Sequence, residues 1–188
     1  MDSRFKRVGN LFFEVIQTIV LALAIFMIVY LFALQPHQVD GSSMVPNFET
    51  GEYLLTDKIS YRLNPPKRGD VIVFKSPTDR KKDFIKRIIG LPGEDVMIRS
   101  GDVYIDGAPL IEQYLPDSWY TNAKGFLTEG RLLTLKEGEY FVLGDNRDHS
   151  SDSREWGPIE KKAIIGRAWV IYWPLKKIGT LPDVTYSN

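Results

Sequence analysis

The chain has 188 residues, 44% hydrophobic and 26% charged, which excludes wholesale disorder and leaves room for one domain with a short appendage. Lys plus Arg and Asp plus Glu number 24 each, so no global basic field invites nucleic acid, and no nucleic-acid partner is expected. There is no cysteine and there are two histidines, His37 and His149. Disulfide frameworks, thiolate zinc sites and cysteine nucleophiles are excluded, and neither a metal nor a cofactor is expected.

Three segments follow in chain order: a short N-terminus (1–14), an apolar run (15–34) and an exterior domain (35–188). Val15 to Leu34 is 20 residues without a charge, 17 of them Ala, Val, Ile, Leu, Met or Phe. As a helix this run rises roughly 30 Å, the thickness of a bilayer's hydrocarbon core. A cleavable signal peptide shares the charged start, but its apolar region is shorter, about 7–15 residues, and ends in small residues. This run leaves through Leu34-Gln35-Pro36-His37, so it is read as an uncleaved single-pass anchor in the cell membrane. Arg4, Lys6 and Arg7 precede it, which predicts a cytoplasmic N-terminus and an extracellular remainder. That remainder is nearly neutral, with 21 basic and 22 acidic residues.

Beyond the anchor, short apolar runs bounded by turn residues predict strands at Tyr53–Ile59, Asp70–Lys75, Phe84–Ile89, Asp95–Arg99, Val103–Ile105, Leu132–Leu135, Tyr140–Leu143 and Ile164–Trp173. Ser100-Gly101-Asp102 and Lys136-Glu137-Gly138-Glu139 read as hairpin loops. Tyr114 to Gly130 has no clear period and reads as an extended excursion. The expected fold class is mainly β: one transmembrane helix followed by a Greek-key or barrel-like β domain. Of the aromatics, Trp169 and Tyr172 are expected in the core.

Three stretches carry more polar detail than a β scaffold requires: Asp40–Pro46, Lys86–Glu94 and Gly144–Arg154. Each alone is a plausible loop. Lys86 stands out, because strand alternation puts it on one face with Phe84 and Ile88. An ammonium between two apolar groups loses hydration, its pKa falls, and a neutral amine can then take a proton from a serine. On the strand pattern alone, a snorkelling lysine with its head in water stays the simpler reading.

Together and in order, these stretches resemble bacterial type I signal peptidase, the membrane-bound Ser-Lys endopeptidase that removes signal peptides from exported proteins. The matching pieces are Gly-Ser-Ser-Met-Val-Pro (41–46), Arg-Gly-Asp-Val-Ile-Val-Phe (68–74), Lys-Arg-Ile-Ile-Gly-Leu-Pro-Gly (86–93) and Gly-Asp-Asn-Arg-Asp-His-Ser-Ser-Asp-Ser-Arg (144–154). The single anchor and small exterior domain are similar to the Gram-positive form. The resemblance implies Ser43 as nucleophile, Lys86 as general base, and Ser150 as the hydroxyl that orients the lysine amine. It implies supporting roles for Asp152 with its ion-pair partner Arg154, and for Asp145 and Arg147. The backbone N–H of Ser43 would hold the oxyanion, while Gly41 stands where some members carry a further serine donor. Shallow pockets near Val39, Met44, Phe84 and Ile85 would select small residues one and three positions before the cut. Implied partners are signal peptides, the lipid bilayer and the export machinery. Asn47-Phe48 and Glu94 depart slightly from the family pattern, away from the implied proton path.

Other readings are weaker. A Ser-His-Asp triad would use Ser43, His149 and Asp152 or Asp145. A Ser-Lys self-cleaving repressor fits poorly with the anchor. A silent membrane-tethered binding module would not need Ser43, Lys86, Ser150 and Asp152 together. A calcium loop at Asp145–Asp152 lacks the EF-hand spacing.

Overall fold

The computed structural model describes residues 2–182, 184 and 186, with the side chains of residues 2–8 and Leu31 outside the description. The side chains of Arg4, Lys6 and Arg7, on which the orientation argument rests, therefore lie outside the described residues. From Asn10 to Gln35 the chain has neither glycine nor proline, and α1 (Asp2–Phe32) runs through it. The helix ends where Pro36 forces Gln35 out of the helical region; its last turn closes with Ala33 N–H donating to the Val29 carbonyl at 2.8 Å. Leu34 therefore opens a strand, where the sequence placed it as the last anchor residue. Within α1, Gly9–Tyr30 is long and apolar enough to cross a membrane, and none of it is buried by protein. A helix that serves as the core of a soluble domain would be covered. This one is not.

Twelve strands follow among the described residues: β1 (Leu34–Gln38), β2 (Tyr53–Asp57), β3 (Val71–Lys75), β4 (Asp83–Gly90), β5 (Asp95–Arg99), β6 (Asp102–Ile105), β7 (Ala108–Pro109), β8 (Leu133–Thr134), β9 (Glu139–Leu143), β10 (Ile159–Glu160), β11 (Ile164–Trp173) and β12 (Gly179–Thr180). An antiparallel sheet of eight has the order β1-β2-β11-β3-β4-β9-β10, with β12 beside β11; a sheet of four has the order β7-β6-β5-β8. The predicted mainly β class is correct. All eight predicted strands occur, several with trimmed ends. β2 stops at Asp57 because that carboxylate accepts the N–H groups of Ile59 and Ser60 at 2.8 and 3.1 Å, turning the chain into the short helix α2 (Ser60–Leu63). β1 holds a proline because it is an edge strand, where one missing donor costs little.

The β4 strand organises the interior. Its register sets Ile72 against Lys86 and Val73 against Ile85 on β3, and Arg87 against Leu143 on β9. Ile85 packs on a cluster containing Val39, Met44, Phe48, Leu54 and Val73. Ile88 and Phe84 join another with Ile72, Phe74 and Val142. A third cluster, around Ile89, Val96, Ile98, Leu127 and Phe141, ties the small sheet to β4 and β9. Gly166 lets β11 pass close to β2, since a Cβ there would sit 2.2 Å from the Asp57 carbonyl oxygen. Residues 110–132 hold no strand, as expected of the excursion. Trp169 is 43% exposed, against the core position expected of it. It stands at an irregularity in the β11–β2 register, where a bulge turns a side chain outward.

Candidate active site

Ser43 lies in the turn that follows β1, and its neighbours fix it. Met44 and Phe48 are sunk in the core, and Val39 closes the loop, its N–H donating to the Glu52 carbonyl and its carbonyl accepting from Gly51 N–H. The Ser43 carbonyl accepts from Asn146 N–H at 3.0 Å, and the Ser42 carbonyl from Asn146 Nδ2 at 3.1 Å. The turn carrying Ser43 is thus stitched to the loop after β9, about a hundred residues away in sequence.

Lys86 reaches this turn from mid-β4. Its ammonium donates to Ser43 Oγ at 2.8 Å and to the Ile85 carbonyl at 2.9 Å. The residue is 4% exposed, and Nζ lies 5.4 Å from the Phe84 ring centroid. Burial lowers the lysine pKa to about 8, while the charges of Asp152 and Asp145 pull it partly back up. Among the described residues no carboxylate is hydrogen-bonded to it. The snorkelling alternative fails, since the head of this lysine is not in water.

The loop Gly144–Arg154 forms the third wall. Gly144 is required by close approach: a Cβ there would lie 2.2 Å from Ser150 Oγ and 2.5 Å from the Ser43 carbonyl oxygen. Ser150 is therefore beside Ser43, as expected, but its hydroxyl is buried without a hydrogen-bond partner among the described residues. The lysine amine bonds Ser43 and the Ile85 carbonyl rather than Ser150, which departs from the expected orienting bond. Asp152 and Arg154, both fully buried, pair through two bonds of 2.8 and 2.9 Å. Asp152 also accepts from Gly144 N–H at 3.1 Å and caps the short helix α3 (Ser153–Trp156). Asp145 is held bidentately by Arg87 at 2.9 and 2.7 Å and accepts from Asn47 Nδ2 at 2.9 Å. Arg147 donates to the Gly144 carbonyl at 3.0 Å and grips both Glu112 oxygens at 2.7 and 2.5 Å. Both interior carboxylates of this loop, Asp145 and Asp152, thus face a guanidinium, which gives the calcium reading no support.

Ser43 and Lys86 open onto a cleft of about 310 Å³. Val39, Phe84 and Ile85, three of the candidate pocket residues, line it. Met44, expected with them, does not: it is fully buried among Val39, Phe48 and Leu54, because the turn that exposes Ser43 points the next side chain inward. His149 also lines the cleft. Among the described residues its ring makes no hydrogen bond to Ser43 or to a carboxylate, so these residues form no triad. Sequence reasoning missed Arg87, Asn146, Asn47 and Glu112. Arg87 and Asn146 stand inside the quoted motifs, where their types hinted at charge pairing and turn bonding; Glu112 sits in a stretch without pattern and gave no signal.

Comparison with known proteins then decides the family. Residues 12–173 match the family described as signal peptidase, peptidase S26. The chain belongs to that family. It is 39% identical over 185 residues to signal peptidase I of Leptolyngbya laminosa, covering 92% of this chain and 86% of that one. It is 38% identical over 159 residues to signal peptidase I of Bacillus caldolyticus, covering 78% and 84%. A crystal structure of a signal peptidase I from Enterococcus faecalis V583 aligns with 55% of this chain and 97% of its own, at 34% identity and a TM-score of 0.46. The matched residues 12–173 include most of the N-terminal helix that is long and apolar enough to cross a membrane.

Proposed function

We propose that this chain is a membrane-anchored serine endopeptidase that removes signal peptides from exported preproteins, with Ser43 as nucleophile and Lys86 as general base. The observation that carries this reading is the 2.8 Å contact between Lys86 Nζ and Ser43 Oγ in a buried setting that brings the lysine pKa to about 8. As ammonium the lysine donates across that contact. Once neutral, it accepts the hydroxyl proton over the same distance.

The reaction follows from these groups. Ser43 Oγ attacks the scissile carbonyl carbon as its proton passes to Lys86, and the carbonyl oxygen becomes an oxyanion facing the Ser43 N–H. The C–N bond then breaks, the Lys86 ammonium returns the proton to the leaving amine, and an acyl-serine remains. Neutral Lys86 next takes a proton from water; the hydroxide oxygen adds to the acyl carbon, and collapse returns that proton to Ser43 Oγ and frees the carboxyl end of the signal peptide. Ser150, whose buried hydroxyl has no hydrogen-bond partner among the described residues and lies near the Ser43 carbonyl, is available to hold the amine in the orientation each transfer needs. Asp152–Arg154, Asp145–Arg87 and Arg147 keep the loop under it rigid.

Val39, Phe84 and Ile85 give the cleft an apolar wall, which suits small apolar residues before the cut. The anchor confines enzyme and substrate to one membrane face, raising their effective concentration. The catalytic domain is placed outside the cell, where translocated preproteins emerge from the export machinery. Incubation of the purified chain with a preprotein tests the reading: correct processing by wild type and none by Ser43→Ala is expected, and equal processing by both would refute it. Protease added to cells with opened walls should degrade the part after Gln35; full protection would reverse the orientation.

A further inference from the structure

The first cation after the apolar helix in sequence is Lys58, so the 50 residues that follow Arg7 carry no Lys or Arg. The fold nevertheless returns cations to the anchor. Lys58 N–H donates to the Ala33 carbonyl at 2.9 Å, which places α2 beside the end of α1. Strand pairing carries the same end of the sheet through Asp57 on β2, the start of β11, the end of β3 and the start of β4. The sheet also curls, because Asp83 at the start of β4 comes within 3.5 Å of His37 on β1, five residues past the helix, although three strands separate them in the sheet.

Residues 57–62, 75–83 and 160–162 therefore share the end from which the anchor emerges. They hold eight Lys or Arg against four Asp or Glu, whereas the rest of the exterior domain holds 13 against 18. Arg62, Arg80, Lys81, Lys82, Lys161 and Lys162 are exposed there. Two large apolar side chains lie among them, Ile59 at 41% and Leu63 at 78% exposure. A cavity of about 470 Å³ at this end is lined by Lys75, Arg80 and Lys162, with Glu160 beside them, and by the apolar Pro77 and Ile159. Cations over apolar surface, continuous with a membrane helix, match the headgroup layer of a bilayer.

We propose that this basic end of the sheet docks on anionic phospholipid headgroups, holding the domain and its cleft mouth at a fixed height on the membrane. The proposal rests on α1 spanning the bilayer. The absence of cysteine permits a single label at Leu63→Cys on the full chain, with Ala108→Cys on the remote strand β7 as control. Collisional quenching by headgroup-nitroxide lipid is read in vesicles of phosphatidylcholine alone and with phosphatidylglycerol added. Quenching at position 63, and not at 108, should rise about fivefold or more with the anionic lipid, since each cation near such a surface favours the docked state by about fivefold. Added salt, or Arg80→Glu with Lys81→Glu and Lys82→Glu, should remove that rise. Equal quenching in both lipids would overturn the proposal and leave the basic end to an acidic protein partner; unchanged quenching in the triple variant would overturn it as well. Failure to float with neutral vesicles would refute the anchor itself. No cleavage is read, so the outcome is separate from the peptidase reading.

Discussion

Lys86 and Arg87 are neighbours on one strand, both 4% exposed, and they meet opposite fates. Arg87 points to Asp145, binds it bidentately and stacks 4.0 Å over the Tyr114 ring; its carboxylate partner outweighs burial and raises its pKa. Lys86 points to Ser43 and Phe84, bonds only neutral oxygens, and burial lowers its pKa to about 8. Burial alone does not decide whether a cation is structural or reactive. The partner decides.

The comparison breaks first at the reacting face. Lys86→Arg keeps the charge but cannot lose a proton near neutral pH, so cleavage of a preprotein should fall about 10⁴-fold, as far as in Lys86→Met. The two variants should part in stability. The unfolded lysine titrates near 10.5 and the folded one near about 8, so the folded state binds fewer protons between those values and stability rises with pH across that window. Below about 8 the penalty is fully present, roughly 3 kcal/mol. Lys86→Met should therefore unfold at a higher temperature than wild type at pH 7 while being inactive. A lower temperature would mean that Lys86 supports the fold.

On the other face the opposite sign is expected. Asp145→Ala strands the Arg87 guanidinium and should cost about 3–5 kcal/mol in denaturant unfolding. Adding Arg87→Met should recover much of that loss. If the double variant is no better than the single, the pair is not what holds β4 to the loop after β9.

This division was only half legible in the sequence. Apolar runs flanked by Gly, Pro and Asp located the main strands, and the alternation Phe84-Lys86-Ile88 put Lys86 on an apolar face. The four motifs named Ser43, Ser150 and Asp152 through their resemblance. What stayed hidden was non-local. Met44 reads as a pocket residue, and only the turn's geometry turns it inward. β1 hides behind Pro36, because an edge strand's tolerance of proline depends on which strand lies beyond it. Glu112 sits in a stretch without periodicity, and nothing local shows that it closes on Arg147, 35 residues away.

Glu112 gives a smaller effect. It holds Arg147, which binds the carbonyl of Gly144, the residue whose missing side chain leaves room for Ser150 and the Ser43 carbonyl. Glu112→Gln keeps the shape but loses the charged pair, at a cost of about 1–3 kcal/mol. The turnover number for preprotein cleavage should fall about tenfold, with KM and the position of the pH profile unchanged, because no reacting group is altered. A displaced pH limb would mean that Glu112 acts on Lys86 itself.

The smallest expected effect tests the electrostatics most directly. Activity should rise with pH through about 8, as Lys86 becomes neutral. Asp152 is the larger of the two carboxylate influences that raise the lysine pKa against burial. Asp152→Asn removes that negative charge and leaves the Arg154 cation without its partner. Both changes favour the neutral amine, so the rising limb should move to lower pH, by up to about one unit, even as the maximal rate falls with the loosened loop. His149→Ala should leave the limb in place, since that ring lies in the cleft wall without a hydrogen bond to Ser43. Comparing normalised profiles of the three proteins on one preprotein separates the sources of the limb. A limb that follows His149 and ignores Asp152 would transfer the base role away from Lys86 and undo the contrast between the two faces of β4.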